Sequence, residues 1–352
     1  MRFGRVTARN LRCFEKVDFC PGPRVNVVYG PNGSGKTSLL EAFSLASIGK
    51  SFQAVKAQEL IRNHSSGLTV LAQAFDQSGI RSDIEVRKSG RETRIALDGI
   101  DLRSASELAR RVPMLCINSR VPEILAEGPH HRRALIDRAL FHVKPGYVDH
   151  WKAYRTALKN RNELLPRNAR READYWHNRL AETAERIDQE RRAVLASVNH
   201  ALTSEAAALL PTELHMDFSS GWDTTRPLLA VLEETWDRDR EVGYTVAGPH
   251  RCDMVLKKAQ RPVARKLSRG QSKVTACVVV AGLLAWMKSE LGSPPVLLVD
   301  DIAAELDDEA RASVVEIFLR FGGQSVFTAI RRTDLPEVTD SSSTLFHVKQ
   351  AA

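Results

Sequence analysis

The stretch Gly30-Pro31-Asn32-Gly33-Ser34-Gly35-Lys36-Thr37 constrains this chain more than any other. It meets the phosphate-loop pattern G-x-x-x-x-G-K-[ST] at every fixed position. The mostly apolar run of residues 24–29 before it reads as a buried strand, and residues 36–45 after it read as a helix with Leu39, Leu40 and Phe43 on one face. A glycine turn between strand and helix aims several backbone N–H groups at one anion, and the helix start adds its positive dipole end. Lys36 is expected to reach the β- and γ-phosphates and the Thr37 hydroxyl to sit on Mg²⁺. The stretch is therefore read as a nucleoside triphosphate site.

Two later stretches complete that reading. Residues 296–301 are four apolar positions ending in Asp300 and Asp301, a buried strand that delivers carboxylates towards the metal. Asp300 is expected to hold Mg²⁺ through water, and Asp301 to orient or deprotonate the attacking water. Upstream, Leu267-Ser268-Arg269-Gly270-Gln271 opens a long apolar helix spanning 274–287. A Ser-x-Gly at a helix start again offers N–H groups and a hydroxyl to an anion. Ala304-Glu305-Leu306-Asp307 follows the acidic pair closely.

Between these ends the texture changes. Residues 1–20 alternate like an edge strand followed by a turn, and 68–97 hold three strand-like runs punctuated by Gly79 and Gly90, an antiparallel meander. Asp98-Gly99 is a turn signal, and 113–117 reads as one more buried strand. Residues 147–165 and 170–210 carry helical periodicity around a break at Pro166, and Pro211 ends the second run, so an antiparallel helical hairpin is expected. Residues 324–329 return to a buried strand. The fold class expected is α/β: an ATPase head with a mixed sheet and an antiparallel meander, interrupted by an inserted helical-hairpin domain. The segments are 1–133 and 241–352 for the head and 134–240 for the insertion.

Composition narrows the class. The 352 residues are 43% hydrophobic, enough for a full core. No unbroken apolar run approaches the roughly 20 residues of a spanning helix, and Met-Arg-Phe-Gly-Arg-Val is no signal peptide, so a cytoplasmic chain without a membrane partner is expected. The five scattered cysteines lack a C-x-x-C pair, which excludes a disulfide framework or zinc site. Net charge is +8, gathered at Arg5 and Arg9, 81–94, Arg110 and Arg111, 130–133, 155–171 and 257–269.

Phosphate loop, acidic strand end, Leu-Ser-x-Gly-Gln and Glu-Leu-Asp together resemble the ABC-type ATPases. Asn10-Leu11-Arg12, residues 128–137, Leu158-Lys-Asn-Arg-Asn162 and Gly248-Pro-His-Arg251, taken in that order, narrow the resemblance to the RecF family of bacterial recombination mediators, from Arg2 to about Asp334. Departures are Leu11 where Phe is usual, Asn118-Ser119-Arg120 in place of a Pro-Glu loop, no histidine near Thr328-Ala329-Ile330, and Arg269 at a signature glycine position. The resemblance implies a slow ATPase that forms a homodimer with ATP. Arg12 would contact the nucleotide beside the loop. Leu267, Ser268, Arg269, Gly270 and Gln271 would complete the partner's site in trans. It further implies double-stranded and gapped DNA as ligand, with RecR and RecO as partners and RecA recombinase reached indirectly. The basic clusters lack interleaved aromatic residues, which fits sequence-blind backbone contact to duplex. The alternatives are a transporter nucleotide-binding subunit, which is more compact between loop and signature, and a condensin- or Rad50-like ATPase, whose coiled coils are far longer.

Overall fold

The computed structural model describes residues 1–53, 56–90, 92–118, 121–205, 213–263, 266–301, 306–335, 338 and 343–349. One helix, α1 (Lys36–Ile48), lies between two sheets. The first sheet is antiparallel and takes β1 (Arg2–Leu11), β2 (Phe14–Phe19), β4 (Gly67–Phe75), β5 (Arg81–Ser89), β6 (Glu92–Leu97) and β7 (Ile100–Asp101) in the order β2-β1-β4-β5-β6-β7. The expected meander is present. Asp98 and Gly99 take φ of 52° and 82°, the two left-handed residues of a tight hairpin turn. β1 is not the edge strand that its alternation suggested: it pairs with β2 on one side and β4 on the other. Alternation records one buried and one wet face, which an interior antiparallel strand has as much as an edge strand.

The second sheet is parallel throughout, with β3 (Val25–Tyr29), β8 (Met114–Ile117), β12 (Val296–Val299), β13 (Ser325–Ala329) and β14 (Thr344–His347) in the order β14-β3-β13-β12-β8. Both faces are covered, so its strands are apolar runs. Successive side chains point to opposite faces. Val28, Cys116, Leu298 and Val326 join α1 and the antiparallel sheet in one core, while Val27, Ile117, Val299 and Phe327 join the other helices in a second.

That second core is built on α9 (Arg269–Leu291), α4 (Pro129–Val143) and the hairpin of α5 (Tyr147–Leu164) and α6 (Arg170–Ser204). The turn between α5 and α6 holds Asn168 at φ 52°, where its side-chain carbonyl accepts from Trp236 Nε1 at 3.2 Å. α6 has 35 residues and is about 52 Å long; residues 206–212, with the expected stop at Pro211, lie outside the described residues. The hairpin does not stand free. Val194, Val198 and Leu202 of α6 pack in the core that holds α9. At Gly282 of α9 a β-carbon would come within 2.6 Å of Val198 Cα, so the two backbones cross at close range.

β9 (His215–Ser219) pairs with β10 (Asp253–Lys258), which also pairs with β11 (Arg261–Pro262), so the segments meeting at residue 240 share a small antiparallel sheet. Among the described residues α9 alone is long and apolar enough to cross a membrane, a property the search for an unbroken apolar run passed over. Its most apolar window is 72% buried beneath the parallel sheet and α6, as a core helix requires. The five cysteines are free.

Gly282→Leu is expected to cost about 2–3 kcal/mol, because overpacking at a backbone crossing outweighs the better helix propensity of leucine. Thermal unfolding checks it; an unchanged midpoint would show that α6 and α9 can part without penalty.

Candidate nucleotide site

The loop between β3 and α1 is shaped by its glycines. Gly33 and Gly35 have φ of 78° and 103°, conformations that L side chains rarely adopt. A β-carbon on Gly35 would stand 2.5 Å from the Phe14 ring and 2.7 Å from Cys13 Sγ, and one on Gly30 would stand 2.2 Å from the Val348 carbonyl oxygen. The β1–β2 turn and the end of β14 therefore press on the loop from two directions. Lys36 Nζ donates to the carbonyls of Gly30 at 2.8 Å and Pro31 at 3.0 Å. Burial lowers its pKa, and the charges of Asp301 and Asp300 work against that shift. Asn32 is exposed on the loop, while Ser34 is buried with an Oγ that meets no hydrogen-bond partner. Such an orphan costs about 1–3 kcal/mol, a cost that an anionic acceptor in the loop would relieve.

The two expected metal ligands meet. Thr37 Oγ1 donates to Asp300 Oδ2 at 2.9 Å and lies 3.2 Å from Oδ1. Asp300 ends β12, its N–H donating to the Ile117 carbonyl of β8 at 2.8 Å. Its carboxylate is 9% exposed, and Thr328 Oγ1 at the end of β13 donates to Oδ1 at 2.8 Å. Burial raises the Asp300 pKa, and the Thr328 and Thr37 hydroxyls pull it back. A hydroxyl and a carboxylate converging at a phosphate loop fit Mg²⁺, which takes one or two protein oxygens and completes its shell with phosphates and water. Among the described residues no cluster of three His, Cys, Asp or Glu suggests an all-protein cage.

Asp301 sits at φ 55°, a strained conformation for a residue with a side chain. Two bonds hold it there: its N–H donates to Thr328 Oγ1 at 2.8 Å, and its carbonyl accepts from Lys273 Nζ at 2.9 Å. Thr328 thus serves both acids, and it stands where no histidine was found. Lys273 lies on α9, two residues beyond the Leu267–Gln271 stretch. Within that stretch Ser268 caps α9: its Oγ accepts from Gln271 N at 3.2 Å, and Gln271 Oε1 accepts from Ser268 N at 3.1 Å. Leu267, Gly270 and Gln271 are half-buried, and Ser268 and Arg269 exposed. Ala304 and Glu305, like Ser119 and Arg120, lie outside the described residues; Asp307 caps α10 (Asp308–Arg320).

Arg12 closes the site from the side. Its Nε and Nη2 both reach the Glu41 carboxylate at 2.9 Å, and Ser51 Oγ donates to the same group at 2.6 Å. Glu41 is 1% exposed within the apolar face of α1, and its bond raises the Arg12 pKa. The β1–β2 turn is thereby fastened to the helix that the loop opens. Sequence reasoning missed Glu41, Thr328 and Lys273 as site residues. Glu41 carried a signal, a lone acid inside Leu39-Leu40-Glu41-Ala42-Phe43, whereas the other two act through contacts that only the fold creates.

Comparison with known proteins agrees with this geometry. Residues 3–352 match the family model for the RecF/RecN/SMC N terminal domain. The DNA replication and repair protein RecF of Vibrio vulnificus is 32% identical over 99% of this chain and 98% of its own length. That of Thioalkalivibrio sulfidiphilus is 34% identical over the same shares. The solved structure of the recombination mediator protein RecF with ATP superposes with a TM-score of 0.85 at 25% identity, covering 94% of this chain and 92% of that one. An Smc head bound to the C-winged helix domain of ScpA shares the fold, with a TM-score of 0.59 at 14% identity.

Asp300→Asn separates the two consequences of burying this acid. The folded pKa is raised, so the stability linked to Asp300 is fully present below its unfolded pKa and is lost as pH rises through the folded value. At pH 7 the nucleotide-free Asn variant should therefore melt at or above the wild type, with the advantage gone in acid. It should also lose the extra stabilisation given by Mg²⁺ with ATP, and hydrolysis should fall on the order of 100-fold or more. Scanning calorimetry across pH, with and without Mg-ATP, reads both.

Proposed function

Since the chain belongs to the RecF family of ABC-type ATPases, we propose that it is an ATP-gated DNA-binding protein of replication and recombinational repair. The observation that carries this reading is the meeting of Thr37 and Asp300 beside Lys36, which joins a phosphate loop from one end of the chain to a metal carboxylate from the other. Lys36 exchanges its two carbonyl partners for the β- and γ-phosphates, Thr37 and Asp300 hold Mg²⁺, and Asp301 positions the attacking water. Arg12 lies beside the nucleotide. When bound, Mg²⁺ supplies charge neutralisation of the transferring phosphoryl group.

The site is half of a composite. Leu267, Ser268, Arg269, Gly270 and Gln271 present a capped helix start at the surface, and they meet the γ-phosphate held by a second copy of the chain. The triphosphate then binds both surfaces, so losing the γ-phosphate loosens the pair and slow hydrolysis acts as a release switch. The segments 1–133 and 241–352 form the ATPase head, and 134–240 is the inserted helical-hairpin domain. The ligand is duplex DNA and its junction with single strand at gaps. There, in the cytoplasm, the closed pair works with RecO and RecR to help load RecA recombinase.

Sedimentation should show a monomer without nucleotide or with ADP and a dimer with ATP, and Lys36→Arg should stay monomeric or inactive. A mixing test is sharper. Lys36→Arg and Ser268→Arg should each be inactive, yet an equal mixture should recover about a quarter of wild-type turnover, since half its dimers carry one intact composite site. No recovery, with both variants folded and the wild type active, would place the whole site within one chain.

A further inference from the structure

Positive charge on this molecule is distributed very unevenly once ion pairs are set aside. On the antiparallel sheet four of the basic groups are matched internally, Arg81 with Asp83, Arg87 with Glu85, Arg94 with Asp101 and Arg5 with Asp18, while Arg9 and Lys16 face each other across β1 and β2, unmatched among the described residues. Exposed pairs of this kind add little stability, but they do cancel the local field. Lys257 on β10 is likewise held by Asp217 at 2.7 Å.

A cleft of about 800 Å³ between the end of α1, α2 (Ala105–Arg111), α4 and α5 has the opposite character. Its walls carry Lys50, Arg133, Arg138, Lys152 and Arg155 against one carboxylate, Asp137. That carboxylate is already spent: Arg191 grips it through Nε–Oδ1 at 2.9 Å and Nη2–Oδ2 at 3.0 Å, and Tyr147 donates to it at 2.7 Å. Arg133 is turned to the Cys252 carbonyl at 2.5 Å. Among the described residues, the charged groups of Lys50, Arg138, Lys152 and Arg155 have neither an ion-pair nor a hydrogen-bond partner. Arg138 lies deepest, where burial depresses its pKa with only the Cys116 thiol opposing. His142 and His250, pushed down to about 4 by burial, are neutral at pH 7 and neither add nor cancel charge. Lys152 and Arg155 also line a second hollow further along α5, where Lys159 is paired with Glu163 at 3.8 Å, so the unmatched cations at the mouth of the cleft are Lys152 and Arg155 themselves.

We propose that this cleft and the adjoining face of α5 seat the phosphate backbone of a DNA strand, with phosphates along Lys152 and Arg155 and one drawn inwards to Arg138. The inference rests on the DNA-binding reading and says where on the chain that binding occurs. Size decides between strand and duplex inside the cleft. Its volume is in the range of small-ligand sites, enough for the sugar and phosphate of one strand, so the duplex lies outside along α5. Unneutralised cations facing a low-dielectric wall focus their field outwards and give binding without regard to sequence.

The test is fluorescence anisotropy of a labelled duplex oligonucleotide with a single-stranded extension, titrated with the full chain and Mg-ATP across a salt series. The exposed double variant Lys152→Glu/Arg155→Glu should bind at least ~10-fold more weakly, and its log–log salt slope should shrink by about 2. The matched-pair variant Arg81→Ala/Arg94→Ala should stay within about twofold of wild type. Thermal midpoints confirm that both variants fold. If the cleft variant binds like a wild type that itself binds DNA, the strand seat is elsewhere and the proposal falls while the DNA reading stands. If the wild type shows no salt-dependent DNA binding, both fall. Inorganic phosphate or AMP perturbing Trp151 fluorescence where the oligonucleotide does not would make the cleft a small-anion site and overturn the proposal.

Discussion

The hydroxyl of Thr37 resting on the buried carboxylate of Asp300 joins two halves of a chain that sequence holds 263 positions apart. Thr37 lies in the first turn of α1, and Asp300 directly follows β12. Burying the acid is unfavourable in itself, and among the described residues the Thr37 and Thr328 hydroxyls are the side-chain donors that offset it. The parallel sheet sets the geometry, because β12 lies between β8 and β13 and the ends of β12 and β13 lie side by side. Thr328 can then serve Asp300 with its proton and the Asp301 backbone with its lone pair.

Behind this site the packing ties the helical part to the strand ends that carry Asp300 and Asp301. α9 begins at Ser268, passes Lys273 where it meets Asp301, and then runs under the sheet and against α6. A shift at the capped start of α9 is therefore carried along one stiff element to the hairpin. The Gly282 crossing leaves no slack there. At the base of the hairpin the Asp137–Arg191 pair is buried, and Arg191 Nη1 also donates to the Pro249 carbonyl at 2.8 Å. Breaking such a pair is far costlier than replacing it whole, so it holds α4, α6 and the 249–251 turn in register.

Much of this was legible from residues alone. The loop, β8, β12, β13, the meander and the helical hairpin each carry a local signal of period or turn chemistry. What escaped were properties of assembly. β14 is four residues long, half-buried, and gains its meaning only from lying beside β3. The interior place of β1 depends on its partners, which no periodicity encodes. Charge was misjudged for a more avoidable reason. Arg81 with Asp83 and Arg87 with Glu85 are two apart on a strand, hence on one face, and their cancellation could have been read directly. Arg94 with Asp101 spans a hairpin and could not. The Thr328 and Lys273 contacts likewise require the sheet and α9 to be in place.

β3 is an inner strand whose neighbours are β13 and β14, both from the far end of the chain. Gly30 lies under the Val348 carbonyl, Val348 N–H donates to Tyr29 O at 2.8 Å, and Gln324 exchanges bonds with the backbone of Phe3 at 2.7 and 2.8 Å. A ribosome making this protein delivers the phosphate loop long before its bracing strands. During synthesis the loop has no sheet to brace it, and closing contacts of such long separation is slow. A nascent chain consequently carries an unbraced loop until β13 and β14, about 300 residues later, have emerged.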